Sequence, residues 1–294
     1  MSDTANRAAI RRLPIWSGPI EIAPLSGGLS NANFVVEDAG RRRVVRLGAD
    51  LPFHHVFRDR ETAVARAAHA AGLSPAVLHA EPGITVFEFV ECTACTAADV
   101  AANWAEIVPL IRRCHGEVAR HLVGPAPIFW VFHVIRDYAA TLSAAGHRLV
   151  RELPRYLAVS DLLEAAQVPL PIVFGHHDLL PANILRGADR YWLVDWEYGG
   201  FGTPLFDLAN LAGNAGFGRD AEIALLGAYF GDDLDPALLK AFDAMKAASL
   251  LREAMWSMVS EIHLDAPGAD YVAYTAENLA RFERALGQFE ETIR

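Results

Sequence analysis

The sequence has no apolar run long enough to span a bilayer. Its first residues, MSDTANRAAIRRLPIW, contain arginines but no apolar segment of signal-peptide length. These absences predict neither membrane insertion nor export, so the cytoplasm is the default expectation. A hydrophobic content of 52% with 21% charged residues excludes a disordered chain and predicts a large folded core in the 294 residues.

Cysteines and clustered basic residues are also scarce. The chain has three cysteines, and an odd number in a chain of this length argues against a disulfide framework. Cys92 and Cys95 form a CTAC motif without a second pair or nearby histidines at zinc-ligand spacing, which favours reduced thiols over a metal or redox site. The net charge of -10, with only Arg41 to Arg43 as a basic run, argues against nucleic-acid binding and favours small cationic partners.

The pattern along the chain predicts two parts without a long linker or internal repeat. Residues 20–91 have the pattern of a β-sheet with one helix. The runs NANFVVE and RRVVRLG predict two strands of a hairpin that turns at Asp38 and Gly40, and residues 57–71 predict the helix. The later part predicts helices near residues 97–121, 130–145, 155–167, 219–229, 235–263 and 270–292. The expected fold class is α+β, with a small lobe over residues 1–91 and a large helical lobe over residues 92–294.

One β-like region, residues 171–197, interrupts the helices and contains the polar stretch GHHDLLPANIL. Residues 183–186 and 191–195 predict two strands joined by the turn GADR, and this pairing would bring Asn183 close to Asp195. Asp178 would lie at the same open end of the hairpin. Two carboxylates and an amide oxygen at one point are suited to Mg2+-dependent phosphoryl transfer.

These motifs carry a resemblance to a known family. The pattern H-x-D-x-x-x-x-N followed by an aspartate resembles the catalytic loop of kinase-like enzymes, and GHHDLLPANIL with LVDWEYGG resembles the choline/ethanolamine kinase and aminoglycoside phosphotransferase superfamily, most closely its bacterial choline-kinase-like branch. The resemblance covers nearly the whole chain. It implies a protein-kinase-like two-lobed fold, with ATP and Mg2+ as cofactors. Asp178 would be the catalytic base, Asn183 and Asp195 would hold Mg2+, and His176 and Asp207 would support the loop; the role of His177 is open.

The resemblance also extends to a nucleotide site in the first 91 residues. PLSGGLSNANFVVE resembles the family's phosphate loop, although it departs from the protein-kinase pattern G-x-G-x-x-G. The candidate phosphate-loop residues are Ser26, Gly27, Gly28, Ser30 and Asn31. Arg46 would hold phosphate oxygens and Glu61 would hold Arg46, unless the two form only a solvated surface pair. Glu88 and Val90 lie where the family's backbone binds adenine.

The expected partner is a small alcohol that carries a positive charge. A quaternary ammonium group has no N–H to donate, so a protein recognises it through aromatic faces and negative charge. The candidate acceptor residues are Asp178, Glu197, Tyr198, Trp256, Tyr271 and Tyr274. Choline or ethanolamine is the first expectation. Aminoglycosides, thiamine, sugar-like alcohols and a ligand-binding pseudokinase remain alternatives, and the chain could be a monomer or a homodimer.

Overall fold

The computed structural model describes residues 3–25, 31–264 and 269–292. An antiparallel five-stranded sheet forms the first part, in the order β1-β2-β3-β5-β4. Its strands are β1 (Ile20–Leu25), β2 (Ala32–Asp38), β3 (Arg41–Leu47), β4 (Val77–Glu81) and β5 (Ile84–Glu88). Helix α1 (Asp3–Arg11) packs on it through Ile10, and α2 (Arg58–Ala70) connects β3 to β4.

The turn between β2 and β3 follows from its two central residues. Ala39 and Gly40 both have positive φ, 50° and 76°, which is the geometry of a two-residue turn whose twist matches the flanking strands. The carboxylate of Asp38 accepts hydrogen bonds from the Ser17 backbone and from Arg43. The hairpin predicted from the sequence is therefore confirmed.

The second part is mainly helical. Its helices are α3 (Ala97–His121), α4 (Val131–Ala144), α5 (Leu153–Ala165), α6 (Pro204–Ala215), α7 (Arg219–Phe230), α8 (Pro236–His263) and α9 (Tyr271–Thr292). The six predicted helices are confirmed within a few residues. Helix α8 is the central element, because every residue from 241 to 260 is buried between its neighbours. Helix α6 was not predicted; ten of its twelve residues are buried, and its polar residues Asp207, Asn210 and Asn214 recur at the spacing of one helix face.

Short strands place the loops of the candidate site. They are β6 (Thr93–Ala94), β7 (Val173–Gly175), β8 (Ile184–Arg186), β9 (Tyr191–Leu193) and β10 (Gly200–Gly202). Strands β8 and β9 pair antiparallel with Leu185 opposite Trp192, which confirms the predicted hairpin. Strand β7 pairs with β10. The segments 176–183 and 194–199 therefore leave neighbouring strand ends.

The fold class predicted from the sequence, a small antiparallel sheet with a large helical part, is confirmed. The expected lobe boundary at residue 91 falls between β5 and β6, and the division into two lobes stays a prediction. Cys92 is exposed and Cys95 is buried, both as free thiols. Within the described ranges, none of the helices combines the length and apolarity needed to cross a membrane.

Candidate active site

Asp207 anchors the loop that precedes the predicted catalytic base. One carboxylate oxygen accepts hydrogen bonds from the backbone N–H of His176, at 2.8 Å, and from the Nε2 of His115, at 2.9 Å. The other accepts from the backbone N–H of His177 at 2.8 Å. Burial disfavours the charge of Asp207, but the bond from His115 and the adjacent histidines hold its pKa below the usual range. The anchor is thus a buried carboxylate with three donors.

His176 connects this loop to the end of β9. Its Nε2 lies 3.0 Å from the Val194 carbonyl, to which it donates, and its Nδ1 accepts the backbone N–H of Asp178 at 3.2 Å. Burial lowers the pKa of His176, which agrees with this neutral tautomer. The ring also packs on Trp196, with centroids 4.5 Å apart. The supporting roles of His176 and Asp207 stay predictions, and these contacts are consistent with them.

The three residues predicted to carry the chemistry lie together. The Asn183 amide nitrogen donates to the Asp178 carboxylate at 3.0 Å and to its backbone carbonyl at 2.9 Å. The Asn183 backbone carbonyl accepts from the Val194 N–H at 3.0 Å, directly before Asp195. Asp195 adopts a left-handed backbone with φ of 68°, a conformation uncommon outside glycine and concentrated at functional sites. The hairpin end therefore presents two carboxylates and one amide.

The charge around Asp178 is unfavourable for a bare carboxylate. Burial raises its pKa well above the usual value, and the charges of Glu253, Asp195 and Glu197 raise it further, while Arg252 opposes them. A nearby cation would relieve this repulsion. The site is therefore suited to a positively charged ligand or metal ion.

Buried ion pairs link the sheet to the hairpin end. Arg46 on β3 bonds to Glu61 of α2 and, at 2.8 Å, to the carboxylate of Asp195. Arg58 at the start of α2 bonds to Glu61 at 2.7 Å and to Glu197 at 2.9 Å. These side chains are at most 16% exposed, so the alternative of a solvated surface pair for Arg46 and Glu61 is wrong.

The donor set fits a divalent cation. Around the hairpin end, five carboxylates face three guanidinium groups: Asp178, Asp195, Glu197, Glu61 and Glu253 against Arg46, Arg58 and Arg252. Asn183 turns its amide nitrogen to Asp178, which directs its oxygen away from that carboxylate. Mg2+ typically takes one or two such protein oxygens and completes its shell with phosphates and water.

The predicted acceptor residues form one aromatic cluster. The indole N–H of Trp256 donates to the Tyr198 hydroxyl at 3.0 Å. The rings of Tyr271 and Tyr274 meet the Trp256 ring edge to face, with centroids 6.2 Å and 6.3 Å away. The structure therefore brings the four aromatic residues together, and their contact with an acceptor stays a prediction.

Two charged residues of α8 complete this cluster. Glu253 accepts a hydrogen bond from the Tyr274 hydroxyl at 2.8 Å and one from Arg252 at 2.9 Å. The Arg252 guanidinium lies 4.3 Å from the centroid of the Tyr198 ring, a cation–π distance. Of the neighbouring charges, that of Glu253 acts most strongly on Asp178, so the aromatic cluster adjoins the predicted base.

Only some of the residues predicted to bind the nucleotide lie in the part of the chain that the structure describes. Ser26, Gly27, Gly28 and Ser30 lie outside the described residues. The Asn31 side chain packs against Gly48, at a point where any Cβ on that glycine would collide with it. Glu88 ends β5 with an exposed side chain, and its backbone N–H bonds to the Ala76 carbonyl at 2.8 Å. Val90 follows in the connection to β6.

His177, whose role the sequence leaves open, is a packing residue. It adopts a left-handed backbone with φ of 62°, and its Nδ1 donates to the Tyr198 carbonyl at 3.0 Å. Its ring stacks on Phe129, with centroids 4.4 Å apart. Burial lowers its pKa to about 4. A Cβ at Gly175 or Gly202 would lie 2.5 Å or 2.8 Å from its Nε2, so the two glycines provide the space for this neutral ring.

Sequence reasoning did not select Arg58 or Arg252. The signal for Arg58 is its spacing of three residues before Glu61 on a predicted helix, which places both side chains on one face. The signal for Arg252 is an Arg–Glu pair inside a run of otherwise apolar helix residues shortly before Trp256. Both arginines contact residues distant in sequence, and those contacts are visible only in the fold.

The sheet, the helical part and the acidic hairpin end between them define a phosphotransferase of protein-kinase-like fold. Comparison with known families agrees with this class. The profile of the phosphotransferase enzyme family matches residues 21–247, so the chain belongs to that family. The family predicted from the sequence is thereby confirmed.

The chain is also similar to individual proteins of known structure or sequence. A choline/ethanolamine kinase family protein from Mesorhizobium loti is 30% identical, with a TM-score of 0.75, over 99% of this chain and 98% of that one. The choline kinase LicA from Streptococcus pneumoniae is 18% identical, with a TM-score of 0.77, over 97% and 99% of the two chains. Protein LicA from Haemophilus influenzae is 27% identical over 69% of this chain and 61% of its own length, so the match leaves more than a third of that relative uncovered.

Proposed function

We propose that this protein is an ATP- and Mg2+-dependent kinase that phosphorylates the hydroxyl group of a small amino alcohol, choline or ethanolamine. One observation carries the proposal: Asp178, bonded to Asn183 at the hairpin end, adjoins Glu253 of the aromatic cluster. A phosphotransferase base and a pocket wall suited to a cation thus share one site. A LicA of similar fold, 20% identical, has been solved with AMP, which supports a nucleotide as the second substrate.

The proposed mechanism assigns each side chain one task. Asp178 accepts the proton of the acceptor hydroxyl as that oxygen attacks the γ-phosphate and the bond from the γ-phosphorus to the β,γ-bridging oxygen breaks to release ADP. Its raised pKa makes it a better proton acceptor than an ordinary aspartate. Asn183 holds the Asp178 carboxylate in place through its amide nitrogen. Arg46 offers its guanidinium to phosphate oxygens. Asn183 and Asp195 would hold Mg2+, which neutralises phosphate charge when bound.

The acceptor assignment follows from the composition of the cluster. Trp256 and Tyr274 provide aromatic surface, which attracts an ammonium group whether or not it has N–H donors. Glu253 and Glu197 provide negative charge on the same side as Asp178. Aminoglycosides and thiamine also carry positive charge and remain second candidates. A binding protein without turnover is disfavoured, because Asp178, Asn183 and Asp195 are all present and lie together.

A coupled assay of ATP consumption tests the proposal. The panel contains choline, ethanolamine, thiamine, sugars and aminoglycosides, each with and without Mg2+. We expect turnover with choline or ethanolamine that depends on Mg2+, and a loss of about 100-fold or more in kcat for Asp178→Asn, the size expected for a lost general base. Asp189→Asn is the matched control, since Asp189 lies in the exposed turn at the opposite end of the same hairpin. Turnover confined to other acceptors, or an active Asp178→Asn variant, would contradict the proposal.

A further inference from the structure

The segment between β3 and α2, residues 50–57, leaves the sheet and docks on the helical part. Backbone hydrogen bonds between Leu51 and Val56, at 2.9 Å and 3.1 Å, close it into a compact loop. Phe53 stacks on His263 of α8, with ring centroids 4.5 Å apart and an angle of 19° between the planes. The residues between these anchors are therefore fixed against the helices that carry the aromatic cluster.

His54 is the innermost residue of this loop. It is fully buried, and its ring lies nearly parallel to that of Trp256, with centroids 4.9 Å apart and an angle of 20°. Its Nδ1 lies 3.1 Å from the Tyr138 hydroxyl, and its Nε2 lies 2.9 Å from the Ser260 hydroxyl. A residue from the sheet side thus covers one face of the predicted acceptor tryptophan.

The neighbours of His54 determine which ring nitrogen carries the hydrogen. The Ser260 hydroxyl donates to the backbone carbonyl of Trp256 at 2.9 Å, so its hydrogen is already used. The Nε2 of His54 must then donate to Ser260, and its Nδ1 accepts from Tyr138. Burial and the charge of Arg252 lower the pKa of His54 to about 2, so the ring is neutral at any pH at which the enzyme would work.

His54 is connected to Trp256 in two ways. Its ring stacks on the indole, and its Nε2 donates to Ser260, whose hydroxyl donates to the Trp256 backbone carbonyl. The Trp256 indole N–H in turn donates to the Tyr198 hydroxyl. His54 therefore contacts the ring of Trp256 directly and its backbone through Ser260.

We propose that His54 is a positioning residue for the acceptor: it fixes Trp256 in the orientation that binds the cationic alcohol. This inference rests on the proposed function of that tryptophan. His54 acts through Trp256 and does not touch the reacting atoms. A neutral ring is suited to this task, since an imidazolium against Trp256 would repel a cationic acceptor.

His54→Phe tests the inference, because phenylalanine keeps a stacking ring and removes both hydrogen bonds. We expect the KM for the acceptor to rise roughly tenfold, the effect of about one buried hydrogen bond, with the KM for ATP changed by less than about twofold. Calorimetric titration of the acceptor without turnover should show the same weakening. His55→Asn is the matched control: His55 bonds to Asp137 instead, and asparagine tolerates its left-handed backbone, so the acceptor KM should stay unchanged.

Tyr138→Phe provides a second variant, which removes the hydroxyl that bonds to the Nδ1 of His54 and should shift the acceptor KM in the same direction. It decides the question if His54→Phe does not fold. An unchanged acceptor KM in a folded variant, or an equal rise for ATP and acceptor, overturns the positioning role while leaving the proposed function intact. A wild-type enzyme inactive on choline and ethanolamine refutes the proposed function, and this inference with it.

Discussion

Replacing Asp207 by asparagine should weaken both the fold and the loop that leads to Asp178, the proposed base. Asparagine has one acceptor oxygen, which keeps the bonds to His176 and His115 if it takes the position of Oδ2. Its amide then faces the N–H of His177, so two donors oppose each other in a buried site. Losing a charge-assisted bond costs about 1.5–3 kcal/mol and leaving a buried donor unpaired about 1–3 kcal/mol, so the free energy of unfolding should fall by about 2.5–6 kcal/mol.

The effect on turnover separates anchoring from general stability. The loop held by Asp207 leads directly into Asp178, and a displacement of about 1 Å in a catalytic group can cost about 100-fold in rate. Asp243→Asn is the matched control, because Asp243 is equally buried and bonds to Arg219 and Thr292 away from the loop. Urea unfolding followed by circular dichroism measures stability, and kcat is compared where both variants are folded. A kcat for Asp207→Asn no lower than that of the control would refute the anchoring argument.

Two further predictions concern packing and pH. Gly175→Ala should lower the free energy of unfolding by about 1–3 kcal/mol, because its Cβ would lie 2.5 Å from the ring of His177. Gly116→Ala is the control and should not lower it, because a Cβ at this position of α3 would lie in open space. Equal effects of the two substitutions in urea unfolding would contradict the packing role of His177. The pKa of Glu261 is lowered to about 2: burial opposes this shift, but hydrogen bonds led by that from Arg148 prevail. The contribution of the Glu261 carboxylate to stability is therefore complete above about pH 4.5 and declines as the pH falls toward 2. Between pH 5 and pH 3, the Glu261→Gln variant should lose less free energy of unfolding than the wild type. Equal losses in the two proteins would show that the carboxylate is not stabilised as described.

The elements that the sequence predicted are those with a local signal. The turn at Ala39 and Gly40, the hairpin of β8 and β9, and the amphipathic helices each follow from residue spacing over a short window. Helix α6 was missed although its polar residues Asp207, Asn210 and Asn214 recur at the spacing of one helix face. A local pattern could therefore have revealed this helix.

In the candidate site, the sequence predicted the residues that lie close together along the chain and missed those that come from distant segments. The spacing from His176 to Asn183 and the hairpin that follows place Asp178, Asn183 and Asp195 together within a short length of chain. Arg58 and Arg252 reach the same site from residues far away in sequence, and their partners were set by how the helices pack. A charged pair on a predicted helix is more often solvated than buried, so the sequence alone did not distinguish these arginines from surface residues.

Contacts within the aromatic cluster reduce the aromatic surface that is open to an acceptor. Tyr198 was expected to offer a ring face to a cationic acceptor, yet the Arg252 guanidinium already lies 4.3 Å over that ring, and the hydroxyl is bonded to Trp256. One face of Trp256 is likewise covered by the ring of His54. Because two of the aromatic faces are used by the protein itself, the proposed recognition of a cationic alcohol would use the remaining face of Trp256, Tyr274 and the charge of Glu253. A site with so little aromatic surface and a buried carboxylate beside it favours a small ammonium group over a large polycationic sugar.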